Sequence, residues 1–353
     1  MEIPPVSIVV VNYNYGRFLS RSVDSALAQT HPRTEVIVVD DASEDGSREV
    51  IRSYGDRVVP VLRARNGGQG AAFNDGFAAC RGEIVLFLDA DDWLYPEAAA
   101  RVVAACGPGV AKVQFRLDLV DGDGRRVDLF PAPEVSFDDG DVVPRLLSTG
   151  RYETTVTSGT AFTRAALAAV LPVPAEDFRI SADGYLVTVA PFHGRVASIE
   201  VPLGAYVMHG SNHWMAVAGG AGTGARFRRS VEHDFRRYDA LRREASRRGL
   251  ATAADLGLRD PLHLTERIGS LVFDPAGHPV RGDSRRALAL RGAWASRSAR
   301  LPAARRLLLA AWFLAVGVLP RRPAATLVSW RMFPGSRPAG LGRVVRRVRA
   351  ALR

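Results

Sequence analysis

The sequence predicts an α/β domain built on a mostly parallel sheet and followed by a helical C-terminal region. Three observations carry this. Over the first 120 residues short apolar runs alternate with amphipathic segments, the pattern of βαβ units. Polar residues or glycines close each apolar run. Finally, charge is split along the chain: the 353 residues carry 47 Lys+Arg and 37 Asp+Glu, a net +10, but residues 1–210 sum to −9 and residues 211–353 to +19. With 47% apolar residues, the acidic part can bury a core and is not a disordered chain. A uniformly basic nucleic-acid binder is excluded.

Taken in order, the pattern predicts strands over 6–11, 35–39, 58–62 and 84–88, with helices over 18–29, 47–54 and 70–79 between them. The strand ends are Asn12-Tyr13-Asn14, Asp40-Asp41, Asn66-Gly67-Gly68 and Asp89-Ala90-Asp91-Asp92. In open α/β sheets ligands bind at the carboxyl ends of strands, so these clusters are expected to converge. From Val110 the period changes. Runs 113–120 and 126–130 flank Asp121-Gly122-Asp123-Gly124, a hairpin signal. Segments 138–149, 163–170 and 183–190 read as helices and 196–199 as a strand. The small residues of 216–224 read as a linker, giving an α/β domain over 1–213, a linker over 214–224 and a basic helical region over 225–353. Within that last region, 226–248 and 285–319 have helical spacing.

Only Cys80 and Cys106 are present, which suits a reducing compartment. Met1-Glu2 leads straight into an apolar strand, with no export leader in view. The longest apolar run, Leu307 to Leu319, is 13 residues, short of the roughly 20 that a spanning helix needs. The expectation is a cytoplasmic protein.

Carboxylates at i and i+2 on a strand end, Asp89 and Asp91, can reach one hard cation and leave room for phosphates, which suits Mg²⁺ or Mn²⁺. The plainer alternative is a solvated turn with Asp92 capping a helix that begins near Pro96. Asp40 and Asp41 can accept hydrogen bonds from a base or ribose; alternatively Ser43 or Asp45 is a helix cap and Gly46 a turn residue. Tyr13 is either a platform for a nucleobase or ordinary packing. Asn66–Asn74 carries small residues where backbone must pass close to a ligand, or makes a tight turn.

The ordered set Ser7-Ile-Val-Val-Val-Asn-Tyr-Asn14, Ser25-Ala-Leu-Ala-Gln-Thr30, Val39-Asp-Asp-Ala-Ser-Glu-Asp-Gly-Ser47, Asn66-Gly-Gly-Gln-Gly-Ala-Ala-Phe-Asn74 and Phe87-Leu-Asp-Ala-Asp-Asp-Trp93 resembles family 2 glycosyltransferases over about residues 5–212. The resemblance implies a GT-A fold, a Rossmann-like, mostly parallel sheet with helices on both faces. It implies inverting transfer of a sugar from a nucleotide diphosphate donor to an acceptor hydroxyl, in cell-envelope polysaccharide or glycolipid synthesis. By motif position it implies nucleotide contacts from Tyr13, Asn14, Asp40 or Asp41, Asn66, Gly67, Gly68, Asn74 and Asp89, with the amides opening the 70–79 helix facing phosphates. Asp91, with Asp89 and His209, would hold Mn²⁺ or Mg²⁺.

The family's general base is an acidic residue at a helix start, followed by a downstream Tyr-Arg-x-His. Ser181-Ala182-Asp183-Gly184-Tyr185-Leu186 and Tyr206-Val207-Met208-His209 fit that spacing and make Asp183 the candidate base, with Glu176 and Asp177 just upstream as alternatives. Ala182 and Val207 depart from the family's acidic residue and arginine. They favour the rival reading, a non-catalytic nucleotide-sugar-binding or membrane scaffold. A phosphoryl-transfer enzyme is disfavoured for want of a nucleophilic aspartate or phosphate-binding lysine. Asp183 is otherwise a helix cap, His209 a loop histidine, and Trp93 and Trp214 either sugar-stacking walls or core. The acceptor is expected to be a carbohydrate or a lipid-linked molecule. The arginines of 225–248, interleaved with Phe227, Val231, Phe235, Tyr238 and Leu241, suggest a helix lying on an anionic membrane; a helical bundle with its arginines outward is the alternative.

Overall fold

The computed structural model describes residues 3–209, 222–333 and 336–338. They fall into two compact units, one containing residues up to 133, 137–144 and 152–208, the other 134–136, 145–151 and the chain from 209 onward. In chain order the first unit runs β1 (Val6–Asn12), α1 (Gly16–Leu27), β2 (Thr34–Asp40), α2 (Ser47–Ser53), β3 (Val59–Leu62), α3 (Gln69–Ala79), β4 (Ile84–Asp89), β5 (Trp93–Leu94), α4 (Ala98–Ala105), β6 (Val110–Val120) and β7 (Arg126–Phe130). Helix α5 (Val143–Thr149) passes into the second unit. The first then resumes with β8 (Thr160–Thr163), α6 (Arg164–Val170), α7 (Asp183–Val189) and β9 (Arg195–Val207). The second unit adds α8 (Thr223–Arg247), α9 (Pro261–Phe273), α10 (Arg285–Ala295), α11 (Ala303–Val318) and α12 (Arg321–Met332).

The sheet order is β3-β2-β1-β4-β8-β6-β9-β5, with β7 on β6. Strands β1 to β4 are parallel, while β8 is antiparallel to both β4 and β6. The chain builds outward from β1 to β3 and then returns to place β4 on the other side of β1. That reversal is the switch point at which such sheets bind ligands. Register brings the strand ends level, with Asn12 opposite Asp40 and Val11 opposite Asp89. Along β1, Val6, Ile8, Val9 and Val10 are all fully buried, as expected of a strand covered on both faces. Helix α3 lies close on it: a Cβ at Gly76 would stand 2.5 Å from Val9.

The expected α/β fold and helical C-terminal region are found, with local differences. Only 143–149 of the expected 138–149 helix forms, because Asp138 is buried in bonds to the Glu153 backbone and Gly140, at φ +77°, bridges to Val196. Residues 160–163 form a strand whose last residue, Thr163, caps α6. Strand β9 runs on to Val207, well past the expected 196–199, because β6 pairs with it along its length. The 285–319 segment breaks into α10 and α11, with Pro302 at the N-cap of α11. Residues 223 and 224, expected in the linker, open α8; the rest of that stretch, with Trp214, lies largely outside the described residues. No described helix is long and apolar enough to cross a membrane.

Helix α8 is amphipathic as expected, but its apolar face is buried. Phe227, Val231, Tyr238 and Leu241 are fully buried. Several of its arginines pair with carboxylates: Arg226 with Glu266, Arg228 with Asp274 and Arg237 with Asp234. The half-buried His233 imidazole is pushed down to about 3 by burial, reinforced by Arg237 and opposed by Asp234. The unfolded chain therefore takes up a proton below about pH 6.5 that the folded chain refuses, and stability falls as pH drops from 6.5 toward 3. Between pH 7 and 5 the wild type is expected to lose about 2 kcal/mol more than His233→Gln, measured by urea unfolding. Equal losses would remove His233 as the cause.

Candidate active site

The loops at the carboxyl edge of β1, β2 and β4 are tied to one another by side chains. Asp40, wholly buried, accepts from Asn12 (2.9 Å), from the Ser43 amide (3.0 Å) and from Arg48 Nε (2.9 Å). Burial pushes its carboxyl up, and these hydrogen bonds outweigh that and hold it below the ordinary range. Asp41 accepts from the amides of Gly67 (2.8 Å) and Gly68 (2.7 Å) and from Arg63 (2.6 Å). Asn14 takes the Glu44 amide and Asp45 takes the Gly16 amide, closing the β1 loop onto the β2 loop. The Tyr13 ring is left 43% exposed, free of the core.

The amides expected to face phosphates are occupied. Besides the two bonded to Asp41, the Gln69 and Gly70 amides donate to Arg179 O (2.7 Å) and Phe178 O (3.2 Å). Gly68, at φ +81°, is required here, since a Cβ would meet Arg179 O at 2.4 Å. Asn66 bonds Arg179 and the Asp41 carbonyl, and Asn74 is consumed by two bonds to the Val173 backbone. The glycine segment thus clamps the 178–182 loop instead of presenting a row of free amides.

That clamp brings the candidate base to the acidic strand end. Gln69 donates to Asp89 Oδ1 (3.0 Å) and accepts from the Ala182 amide (2.8 Å), one residue before Asp183. Asp183, half-buried, opens α7 behind Ala182, which supplies no side-chain cap. Asp89 is pushed up to about 8 by burial, then by the charges of Asp91 and Asp183. Asp92 is raised well above the carboxylate range by burial and by Asp91 and Asp89. The foremost charges on both groups are thus negative. Tyr15 is pushed up to about 12 by burial and the field of Asp91 and Asp89, and Tyr206 is raised by burial and by Asp92, Asp91, Asp89 and Asp183.

Asp92 does not cap a helix near Pro96. It is buried, accepting from Ser158 (2.6 Å) and from the Val207 amide (2.9 Å), while α4 begins behind Glu97. Val207 packs with Val120 and Ala205. Trp93 pairs with Ala205 and has the Arg21 guanidinium 3.1 Å over its ring. Met208, just before His209, donates to the Val120 carbonyl. Among the described residues no group of three or more His, Cys, Asp or Glu side chains is arranged to hold a metal. Among the described residues three that are not glycine adopt left-handed backbone, Asn14, Ala42 and Ser181, and all three lie in these loops. Such strain costs on the order of 1–3 kcal/mol each and concentrates at functional sites.

Gln69, Tyr15 and Tyr206 join the site without having been expected there. Gln69 and Tyr206 stand inside the quoted motifs, where flanking glycines and His209 carry the stronger signal; nothing in the sequence marks Tyr15.

A mostly parallel sheet with an acidic strand end at its switch point and a further carboxylate tied to it through Gln69 is the architecture of an α/β ligand-binding site. Comparison with known proteins gives the family. The profile described as Glycosyl transferase family 2 matches residues 7–129. An uncharacterized glycosyltransferase of Nostoc sp. is 39% identical over 221 residues, 60% of this chain and 67% of that protein. The chain belongs to glycosyltransferase family 2. Succinoglycan biosynthesis protein ExoO of Rhizobium meliloti is 35% identical over 137 residues, 38% of this chain but only 39% of that protein. Mannosyltransferase PcManGT from Pyrobaculum calidifontis, solved with GDP-Man and Mn²⁺, superposes with a TM-score of 0.52 at 20% identity, covering 94% of this chain and 85% of that one. The fold is GT-A.

Proposed function

We propose that the protein transfers a sugar, with inversion, from a nucleotide diphosphate donor to the hydroxyl of a carbohydrate or lipid-linked acceptor, as part of polysaccharide or glycolipid synthesis at an anionic membrane face. The observation that carries this is the meeting of Asp89 and Asp183 across Gln69 at the sheet's switch point. Asp183 takes the proton from the acceptor hydroxyl as that oxygen attacks the anomeric carbon and the nucleoside diphosphate departs. Tyr13 stacks on the base. Asp40 and Asp41 fix the loops around the nucleoside more than they touch it, since their oxygens are already engaged.

The donor set suits a hard divalent cation. Asp89 and Asp91 offer only oxygen, and the charges acting most on Asp89 are negative, so a cation relieves repulsion. Magnesium is commonly held by one or two carboxylates plus substrate phosphates, so Asp89 and Asp91 would be the protein's share. When bound, the cation stabilises the charge that develops on the leaving diphosphate.

The test is a panel of nucleotide sugars with Mn²⁺, Mg²⁺ or chelator, read by mass spectrometry for released nucleoside diphosphate and glycosylated product. One donor is expected to turn over only with metal. Tyr13→Ala is expected to weaken nucleoside diphosphate binding about tenfold, given roughly 1–3 kcal/mol per stacked base. Binding without turnover across the panel would instead support the scaffold reading, and metal-independent turnover would remove the cation.

A further inference from the structure

The membrane-facing reading of the C-terminal region needs a surface, and α8 does not supply one, because its apolar face is buried. Helices α10 and α11 do. They pack against each other closely: a Cβ on Gly292 would meet Phe313, and one on Gly317 would meet Ala289. Their inward faces, with Leu288, Leu309, Phe313 and Val316, join the core of their unit. Their outward faces are also apolar. On α11, Leu307 (72% exposed), Leu308, Leu314 and Val318 (75%) stand in water, and on α10 so do Leu290 and Trp294. Leu307, Leu314 and Val318, with Ala311, recur at intervals of four, three and four, one stripe of a helix. Exposed apolar side chains grouped in this way mark an interaction surface.

The charge around the stripe identifies the partner. Asp283 is the last acidic residue of the chain; the 70 residues after it hold 16 arginines and no Asp or Glu. Arg286, Arg291, Arg297 and Arg322 are exposed on or beside these helices, and none is paired with a carboxylate among the described residues. A second copy of this face would set arginine against arginine. A nucleic acid would match the charge but leave the leucines wet. An anionic bilayer surface takes both, with phosphates for the guanidinium groups and acyl chains for Leu, Val and Trp.

We infer that the outward face of α10 and α11 is an interfacial membrane-docking surface selective for anionic phospholipid, with Leu307, Leu314 and Val318 inserted and the flanking arginines on headgroup phosphates. The inference rests on the proposed membrane-facing role and is independent of transfer chemistry.

The full chain is mixed with vesicles of phosphatidylcholine alone or with about 30% phosphatidylglycerol, and bound protein is measured by sedimentation at low and high salt. Wild type is expected to bind the anionic vesicles, to keep part of that binding at high salt, and to bind neutral vesicles roughly tenfold less. Leu307→Glu with Val318→Glu, both at solvent-exposed positions, is expected to cut binding roughly tenfold or more. Arg286→Gln with Arg291→Gln and Arg297→Gln is expected to weaken binding severalfold and flatten the salt dependence. Thermal unfolding and nucleoside diphosphate binding are followed alongside, so that misfolding or failure of the transferase reading appears separately. Undiminished vesicle binding by the glutamate variant overturns the inference, as does loss of binding only when the exposed α8 residues Arg229, Arg236 and Arg243 are replaced. A dimer, or a nucleic-acid complex, that the glutamate change abolishes while wild type ignores vesicles overturns it too.

Discussion

Asp183→Asn is expected to keep donor binding and lose transfer by about 10² to 10⁴, the range for removing a general base. The substitution is isosteric, and the loop that carries it is held by other groups: the Ala182 amide by Gln69, and the 178–179 carbonyls by the Gly70 and Gln69 amides. What disappears is the carboxylate proposed to take the acceptor's proton. Asp91→Ala is the contrasting variant, expected to lose metal-dependent donor binding together with turnover. The pair separates a group acting on the acceptor from one acting on the diphosphate. Single-turnover transfer and calorimetric donor binding measure the two effects. Unchanged transfer by Asp183→Asn would move the base to Glu176 or Asp177, which lie exposed in the preceding loop.

The parallel half of the fold was legible because each element announces itself locally. β1, apolar but for Ser7, and β4 are runs buried on both faces, and their ends are marked by Asn12 and Asp89. The short strands β5 and β8 were not legible, since two to four residues exist as strand only through partners far along the chain. Helix α9 is absent from the expected elements although its start is signalled. Asp260 caps it through the Leu262 amide and Pro261 sits at its first position. At the site, the identity of the acidic residues was readable but not their division of labour. Asp41 and Asp89 are alike in sequence, yet one is neutralised by Arg63 and two amides and the other faces further aspartates. Only their three-dimensional partners tell the two apart.

The same distinction governs the largest stability effect expected, in the second unit. Residues 145–151 belong to that unit although the chain on either side belongs to the other. Arg151 fastens this segment, donating to Asp234 (2.6 Å) on α8 and to Asp260 (2.7 Å) at the head of α9. Asp234 also receives Arg237 (3.2 Å) and contacts His263 Nδ1 (2.8 Å), and it is only 4% exposed. Burial pushes the Asp234 carboxyl up, but Arg151, His263 and Arg237 outweigh that and hold it far below the usual range. Asp234→Ala leaves Arg237 buried beside Arg151 with the shared anion gone. Removing one partner of a buried ion pair costs about 3–5 kcal/mol, a large share of the roughly 5–15 kcal/mol that holds a domain. Urea unfolding is expected to show that loss for Asp234→Ala. In the double variant with Arg151→Ala the loss should fall clearly short of the sum of the single losses, because the two residues share one network. Additive losses would mean that Arg151 and Asp234 act separately, and the segment would then owe its place to backbone bonds such as Ala253 to Leu147 and Gly257 to Thr149.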